Sequence, residues 1–222
     1  MKIGVVGLGT FGSHLVRELA EMGVEVLAVD KRESCVDAVK NDAAFAAVVD
    51  VTSLEALRRL PLNELDAVIL TIGDDFRSAM LTTAHLLSLK PKRLICRAAS
   101  ETHEQLLAAL GVKEILVPER VAAGQVAARL AVRGVTGAYE VAEGFNVHEM
   151  TPPAHAVGKS MKELNLRGNY EINLITVKRR DAKGRVTVAG VPGPDFRLQA
   201  GDVLVLFGSD NALRRFAGSG GE

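Results

Sequence analysis

Near its start the chain carries a six-residue glycine turn, Gly7-Leu8-Gly9-Thr10-Phe11-Gly12, between an apolar run and an amphipathic stretch. No other feature limits the possible folds as much. A strand over Lys2–Val6 must end in a tight turn, and a helix over Gly9–Met22 must begin almost at once. Glycines at this spacing have separate tasks: Gly7 permits the turn, Gly9 opens the backbone to a ligand, and Gly12 lets the helix lie close to the strand. The helix start then offers unpaired N–H groups and the positive end of its dipole, which together suit a phosphate.

The same alternation continues for about 133 residues. Short apolar strands are expected at Glu25–Asp30, Ala46–Val49, Ala67–Leu70, Arg93–Arg97 and Glu114–Val117. Helices are expected between them at Glu33–Lys40, Ser53–Leu60, Asp74–Ser88 and Thr102–Leu110. Strands that are apolar throughout and bounded by Gly, Asp or Pro are those covered on both faces. The fold class is therefore α/β, a Rossmann-like, doubly wound parallel sheet. Pro118 opens one more helix, Glu119–Val132, with small residues Ala122, Ala123, Gly124, Ala127 and Ala128. That face could pack on its own sheet, or the helix could be a crossover or dimer-interface element leading out of the domain.

The pattern changes after Arg133-Gly134. Strands are expected at Phe145–Met150, Ile172–Arg179, Arg185–Val188 and Val203–Phe207, with a hairpin turn at Asp181–Gly184. Ser209 can cap a last helix over Asn211–Phe216, and the glycine-serine tail from Gly218 is expected to be flexible. Two domains follow: 1–134, the nucleotide-binding type, and 135–222, a smaller α+β domain.

In a sheet of this kind the ligand crevice lies at the carboxyl ends of the strands. Asp30 ends the second strand, 18 residues after Gly12, where a carboxylate would accept hydrogen bonds from ribose hydroxyls. Lys31 and Arg32 follow it as charges at a helix start. Asp50, Val51 and Thr52 end the third strand and could flank an adenine, or Thr52 and Ser53 could merely cap the next helix. Ile72 and Gly73 follow the fourth strand. Arg97 ends the fifth, as a phosphate or ribose contact or as a surface ion pair.

Composition narrows the function. Lys+Arg and Asp+Glu balance at 27 each, which argues against a duplex-binding surface. Aromatics are 4% with no Trp, so stacking platforms for bases or sugars are not expected. Cys35 and Cys96 lack metal-ligand spacing and read as reduced thiols of a cytosolic protein. No uncharged apolar run approaches the ~20 residues that span a bilayer. The histidines His14, His85, His103, His148 and His155 stand in no catalytic frame, and surface or core roles are expected for each. A binding module is expected rather than an enzyme. An NAD(P)-dependent oxidoreductase is the competing reading.

Taken in order, several stretches resemble one family. They are the glycine turn, Val26–Asp30, Asp50-Val51-Thr52, Val68–Gly73, Leu81-Thr82-Thr83, Leu110-Gly111-Val112, Val117-Pro118-Glu119, Gly158-Lys159-Ser160, Leu164–Arg167 and Gln199–Val205. The chain resembles the cytosolic regulatory subunits of Ktr/Trk potassium uptake systems, built from RCK domains. The resemblance implies an N-terminal lobe binding ATP or ADP, or else NAD(H) or AMP, and a C-terminal regulatory lobe. It implies homodimers that assemble into an octameric ring under an integral-membrane potassium-translocating subunit, at the inner face of the membrane. A regulator of a different membrane transporter is a further alternative. The resemblance assigns Gly7, Gly9 and Gly12 to phosphate, Asp30 to the ribose, Asp50 with Thr52 to adenine and Arg97 to a basic position near the nucleotide; Thr10, Phe11, Lys31, Val51, Ile72 and Gly73 are also expected to line the nucleotide site. It gives Glu119 a part in holding a divalent cation at a dimer interface, and Asn165 and Arg167 a part in binding cyclic di-AMP. Thr10 departs from the family, whose members often carry arginine there; that weakens the case for ATP over ADP and favours NAD(H), ADP or AMP.

Overall fold

A computed structural model describes residues 1–131, 134–181 and 183–218. Val132 at the expected end of the sixth helix, Arg133 beside the expected domain boundary, Ala182 in the expected hairpin turn and the tail from Ser219 lie outside them. The chain forms two compact units, Met1–Glu119 and Arg120–Glu222.

The first unit alternates strand and helix: β1 (Lys2–Val6), α1 (Thr10–Glu21), β2 (Glu25–Asp30), α2 (Glu33–Asp37), β3 (Phe45–Val48), α3 (Leu54–Arg58), β4 (Ala67–Leu70), α4 (Phe76–Leu89), β5 (Leu94–Arg97), α5 (Glu101–Ala109) and β6 (Glu114–Leu116). All strand pairs are parallel, in the order β3-β2-β1-β4-β5-β6. This is the Rossmann-type order, and it reverses between β1 and β4. Side chains alternate across the sheet. Val6, Val29, Val68 and Leu70 meet Leu57, Leu86 and Leu107 from α3, α4 and α5. Val5, Val26 and Ala28 meet Val16 and Val36 from α1 and α2 on the opposite face. Ser53, Asp75 and Ser100 cap α3, α4 and α5 through their side chains, each contributing about 1 kcal/mol. Burial pushes the Cys96 thiol up to about 11, which leaves it an inert core group.

The helix α6 (Pro118–Ala131) buries no residue. Its apolar residues Val121, Val126 and Leu130 are all exposed, and spacings of five and four make no continuous stripe.

The second unit contains β7 (Val135–Ala142), β8 (Phe145–Met150), α7 (Met161–Leu164), α8 (Leu166–Tyr170), β9 (Asn173–Arg180), β10 (Val186–Val188), β11 (Val203–Ser209) and α9 (Asp210–Ala217). Its sheet is antiparallel, in the order β10-β9-β11-β8-β7. Leu204 and Leu206 of β11 pack with Ile172, Val177, Leu213 and Phe216. Ser209 caps α9 by accepting from the Ala212 amide at 3.2 Å. A second device fixes the chain before β11. Asp202, fully buried, takes both Arg179 Nε (2.6 Å) and a terminal Arg179 nitrogen (2.7 Å), and also the Gln199 amide (2.8 Å).

Candidate functional site

The carboxyl ends of the parallel strands open into a cavity of about 530 Å³, within the range of small-molecule sites. The glycine turn forms its floor. Gly7 has φ +96, a left-handed conformation that favours glycine, and its amide donates to Val29 O at 2.8 Å. The Thr71 hydroxyl, buried at the end of β4, donates to the carbonyls of Val6 and Gly7 and ties the turn to the next strand. A Cβ on Gly12 would collide with Gly7 O and stand 2.7 Å from the Thr71 hydroxyl. Close helix–strand packing, expected of Gly12, is thus what the backbone enforces. A Cβ on Gly9 would meet nothing. Gly9 also caps α1 without a side-chain bond, so the helix start faces the cavity as bare backbone.

Asp30 reaches the cavity from β2 and is only 5% exposed. Its carboxylate accepts from the Leu8 amide (2.6 Å), the Arg32 amide (2.9 Å) and Arg32 Nε (3.3 Å). Burial pushes this carboxyl up, but the two amides and the guanidinium outweigh it and hold it below the ordinary range. Lys31 and Arg32 are exposed and ion-paired, Lys31 with Asp75 at 3.6 Å and Arg32 with Asp30. Beyond β3, Asp50 accepts from the Thr52 hydroxyl (2.6 Å) and amide (3.0 Å), which lower its pKa. Val51 between them is buried, and its carbonyl accepts from Thr82 of α4 at 3.2 Å. Ile72 and Gly73 follow β4. Arg97 lies over Gly73 so closely that a Cβ there would stand 2.8 Å from Arg97 Cζ. The guanidinium is 5.8 Å from the Phe11 ring, pairs with Glu119, and leaves Nε buried without a hydrogen-bond partner.

The structure therefore brings together Gly7, Gly9, Thr10, Phe11, Asp30 and Lys31 with Asp50, Val51, Thr52, Ile72, Gly73, Arg97 and Glu119, while Gly12 lies just beneath. Arg97 is thus ion-paired, as one of its two sequence readings has it, and it also stands in the cavity wall. Glu119 gives its carboxylate to Arg97, and among the described residues no three His, Cys, Asp or Glu side chains are gathered as a metal site. Asn165 and Arg167 are elsewhere, exposed in the second unit. Asn165 is the left-handed junction of α7 and α8, its amide lying where a Cβ on Gly168 would go. Arg167 Nε donates to Asn173 Oδ1 at 2.8 Å. Six lining residues were not among the expected site residues: His14, Arg32, Thr71, Asp74, Asp75 and Ser78. Asp75 and Ser78 are an N-cap and its third helical residue, a pattern visible in the sequence. His14 stands four residues after Thr10, on the same face of α1.

Fold and site define the class: a Rossmann-type α/β unit with a polar crevice at its switch point, followed by an antiparallel α+β unit. The TrkA-N domain family model matches residues 3–118, and the TrkA-C domain model residues 147–218. Ktr system potassium uptake protein C of Bacillus subtilis (strain 168) is 30% identical over 215 residues, 97% of this chain and 95% of that protein. Ktr system potassium uptake protein A of the same organism is 28% identical over 219 residues, 99% and 96%. The GsuK RCK domain superposes with a TM-score of 0.65 at 20% identity, over 100% of this chain and 48% of that chain. A GsuK channel bound to NAD superposes with 0.65 at 19% identity, over 100% of this chain and 39% of that one. This chain thus spans less than half the length of the GsuK chains. It belongs to the family of RCK regulatory proteins defined by paired TrkA-N and TrkA-C domains. No helix of the described residues is long and apolar enough to cross a membrane.

Proposed function

We propose that this chain is a cytoplasmic, nucleotide-sensing gating subunit of a potassium uptake system, acting through an integral-membrane potassium-translocating partner. The observation that carries the reading is the cavity itself: glycine turn, helix start, Asp30, Asp50 and Arg97 converge on one space at the strand ends. Phosphates would lie on the Gly7–Gly12 turn beside Arg97. Three donors use three of the about four lone-pair positions of the Asp30 carboxylate, so one ribose hydroxyl can bond to it as it stands, and the second can do so once the exposed Arg32 guanidinium lets go. Adenine would sit at Asp50, Val51 and Thr52. The name of the relative from Bacillus subtilis and the NAD bound to the GsuK channel are consistent with this reading.

In functional terms residues 1–134 form the nucleotide domain and 135–222 a regulatory domain, with cyclic di-AMP the candidate ligand near Asn165 and Arg167. ADP, AMP and NAD(H) are favoured over ATP, because Thr10 brings no charge to a terminal phosphate. A divalent cation at Glu119 would require the carboxylate to leave Arg97. A homodimer assembling to an octameric ring is the form in which a ligand could gate transport, provided it binds two ring states with different affinity. No turnover is part of the proposal.

A thermal-shift panel with ATP, ADP, AMP, NAD+, NADH and cyclic di-AMP tests it. A ligand at 100 times its Kd should stabilise the protein by about 2.7 kcal/mol. Failure of every adenine nucleotide to raise Tm refutes the reading, and steady oxidation of NADH with a small substrate would replace it by an oxidoreductase. Asp30→Ala should weaken whichever nucleotide binds; unchanged affinity removes the ribose assignment.

A further inference from the structure

The cavity wall carries an unbalanced charge. Five carboxylates line it, Asp30, Asp50, Asp74, Asp75 and Glu119, against three permanent cations, Lys31, Arg32 and Arg97. Each of those cations is already held by a carboxylate: Lys31 by Asp75, Arg32 by Asp30 and Arg97 by Glu119. A phosphate arriving at the glycine turn meets amides and a helix dipole, but also a surplus of negative side chains. Thr10, at the first position of α1, adds no charge.

One basic side chain of the wall stands apart. His14 is exposed and lines the same cavity, one helical turn beyond Thr10 on the same face of α1. Among the described residues it is the one basic group of this wall without a carboxylate or hydrogen-bond partner. Its other charged neighbours on α1, Arg17 and Glu18, stand three and four residues further on. Arg17 is turned to Asp42 (3.5 Å) and to the Ala38 carbonyl (3.0 Å). From the other elements the charged groups at the cavity are Asp30, Lys31 and Arg32 after β2, Asp50 after β3, Asp74 and Asp75 before α4, Arg97 on β5 and Glu119 on α6.

We propose that His14 is a phosphate contact of this cavity. Its exposed imidazole, which no carboxylate of the wall holds, donates to the terminal phosphate of a bound nucleotide and so favours phosphate-terminated nucleotides. The inference rests on the nucleotide reading above and adds to it a specificity-determining residue. A ligand whose phosphates are all internal, such as a dinucleotide, would be served by the glycine turn and Arg97 and would gain little from His14.

Calorimetric titration of ADP and of NAD+ at one pH, with the wild type, His14→Gln and His14→Arg, tests this. His14→Gln should bind ADP roughly three- to tenfold more weakly than the wild type, the size of one charge-assisted contact, and His14→Arg should bind it at least as tightly as the wild type. NAD+ affinity should be the same for all three proteins. The inference is overturned if His14→Gln matches the wild type with ADP, or if NAD+ is weakened as much as ADP. If the wild type binds neither nucleotide, the nucleotide reading falls and this inference with it.

Discussion

Asp30 and Asp202 are both aspartates taken out of water, 5% and 0% exposed, one in each unit. Asp30 accepts from two amides and one arginine and Asp202 from one amide and one arginine, and each carboxyl is held below its ordinary range although burial pushes it up. The rings differ in closure. Around Asp202 the Arg179 fork and the Gln199 amide leave no open side, and the pair fastens the Gln199–Asp202 turn to β9. Around Asp30 the ring stops at the cavity, where the strand ends and a ligand could complete it. One pattern of donors thus closes on itself as a fastener in the antiparallel unit and stays open to a cavity in the parallel one. A parallel sheet ends all its strands on one side, so partly satisfied groups collect there; an antiparallel sheet spreads its ends over two sides.

Breaking the floor of the parallel unit should have the largest effect. Gly12→Ala sets a Cβ against the Gly7 carbonyl, a backbone atom that cannot move without undoing the turn. We expect a loss of about 3 kcal/mol or more from the first unit, seen as a lowered Tm. Gly9→Ala meets open space and should cost about 1 kcal/mol, as a poorer N-cap, while reducing nucleotide affinity. Equal melting of the two variants would dispose of the division of labour between these glycines.

Breaking the fastener comes next. Asp202→Ala leaves the Arg179 guanidinium, stacked 5.1 Å from Phe196, without its counter-ion. A cost of about 3 kcal/mol is expected for a buried pair broken on one side, with nucleotide binding by the first unit unchanged. Loss of nucleotide affinity with no loss of stability would reverse the roles assigned to the two aspartates. The pH dependence has a fixed sign. A carboxyl depressed by folding stabilises fully above the unfolded value of about 3.9, and that contribution disappears as pH falls through the lower folded value. The Asp202→Ala protein should therefore lose less stability than the wild type between pH 4 and pH 2.

How much of this was legible in the sequence divides along the same line. In the parallel unit every strand and helix falls within a few residues of its expected place, because both faces of each strand are apolar and Ser53, Asp75 and Ser100 mark helix starts. The antiparallel unit hid more. β7 was not foreseen: only Val135 and Ala138 are buried, Tyr139 and Val141 face water at the sheet edge, and two register shifts break the alternation that marks a strand. The helices α7 and α8 are too short for periodicity, although the capping box Ser160…Glu163 was there to be read. At the site, the glycine turn and Asp30 were legible because backbone geometry demands them. The pairing of Arg97 with Glu119 and the place of His14 were not, since both depend on which side chains the strand ends bring together.

A smaller effect distinguishes buried imidazoles from buried carboxylates. Burial holds the His148 imidazole below its ordinary pKa, against the opposing pull of Asp210 at 3.2 Å. His103 in the first unit is lowered likewise by burial and by Arg97. A histidine lowered by folding binds more protons when unfolded. Its stabilising contribution is complete above the unfolded value of about 6.5 and declines as pH falls toward the folded one. The urea midpoint should thus begin to fall below pH 6.5, well before any carboxylate protonates. His148→Gln should remove the part of that slope belonging to the second unit; an unchanged slope would assign all of it to His103 or to surface groups.

The finest test of the comparison returns to the open ring. Thr82 is wholly buried in α4, yet its hydroxyl does not serve the helix; it donates to the Val51 carbonyl at 3.2 Å, across to the segment where adenine is expected. Its neighbour Thr83 bonds back to Ala79 within the helix at 2.8 Å and makes a useful control. Thr82→Val keeps the shape and removes one hydrogen bond, for a cost of about 1 kcal/mol. If Thr82 holds the adenine side of the cavity in place, this variant should also weaken adenine nucleotides, and Thr82→Ser should restore them. Thr83→Val, equally buried, should alter stability alone. Should both valine variants leave affinity untouched while lowering Tm equally, Thr82 is only a core hydrogen bond, and the shape of the adenine side must come from the Asp50–Thr52 turn by itself.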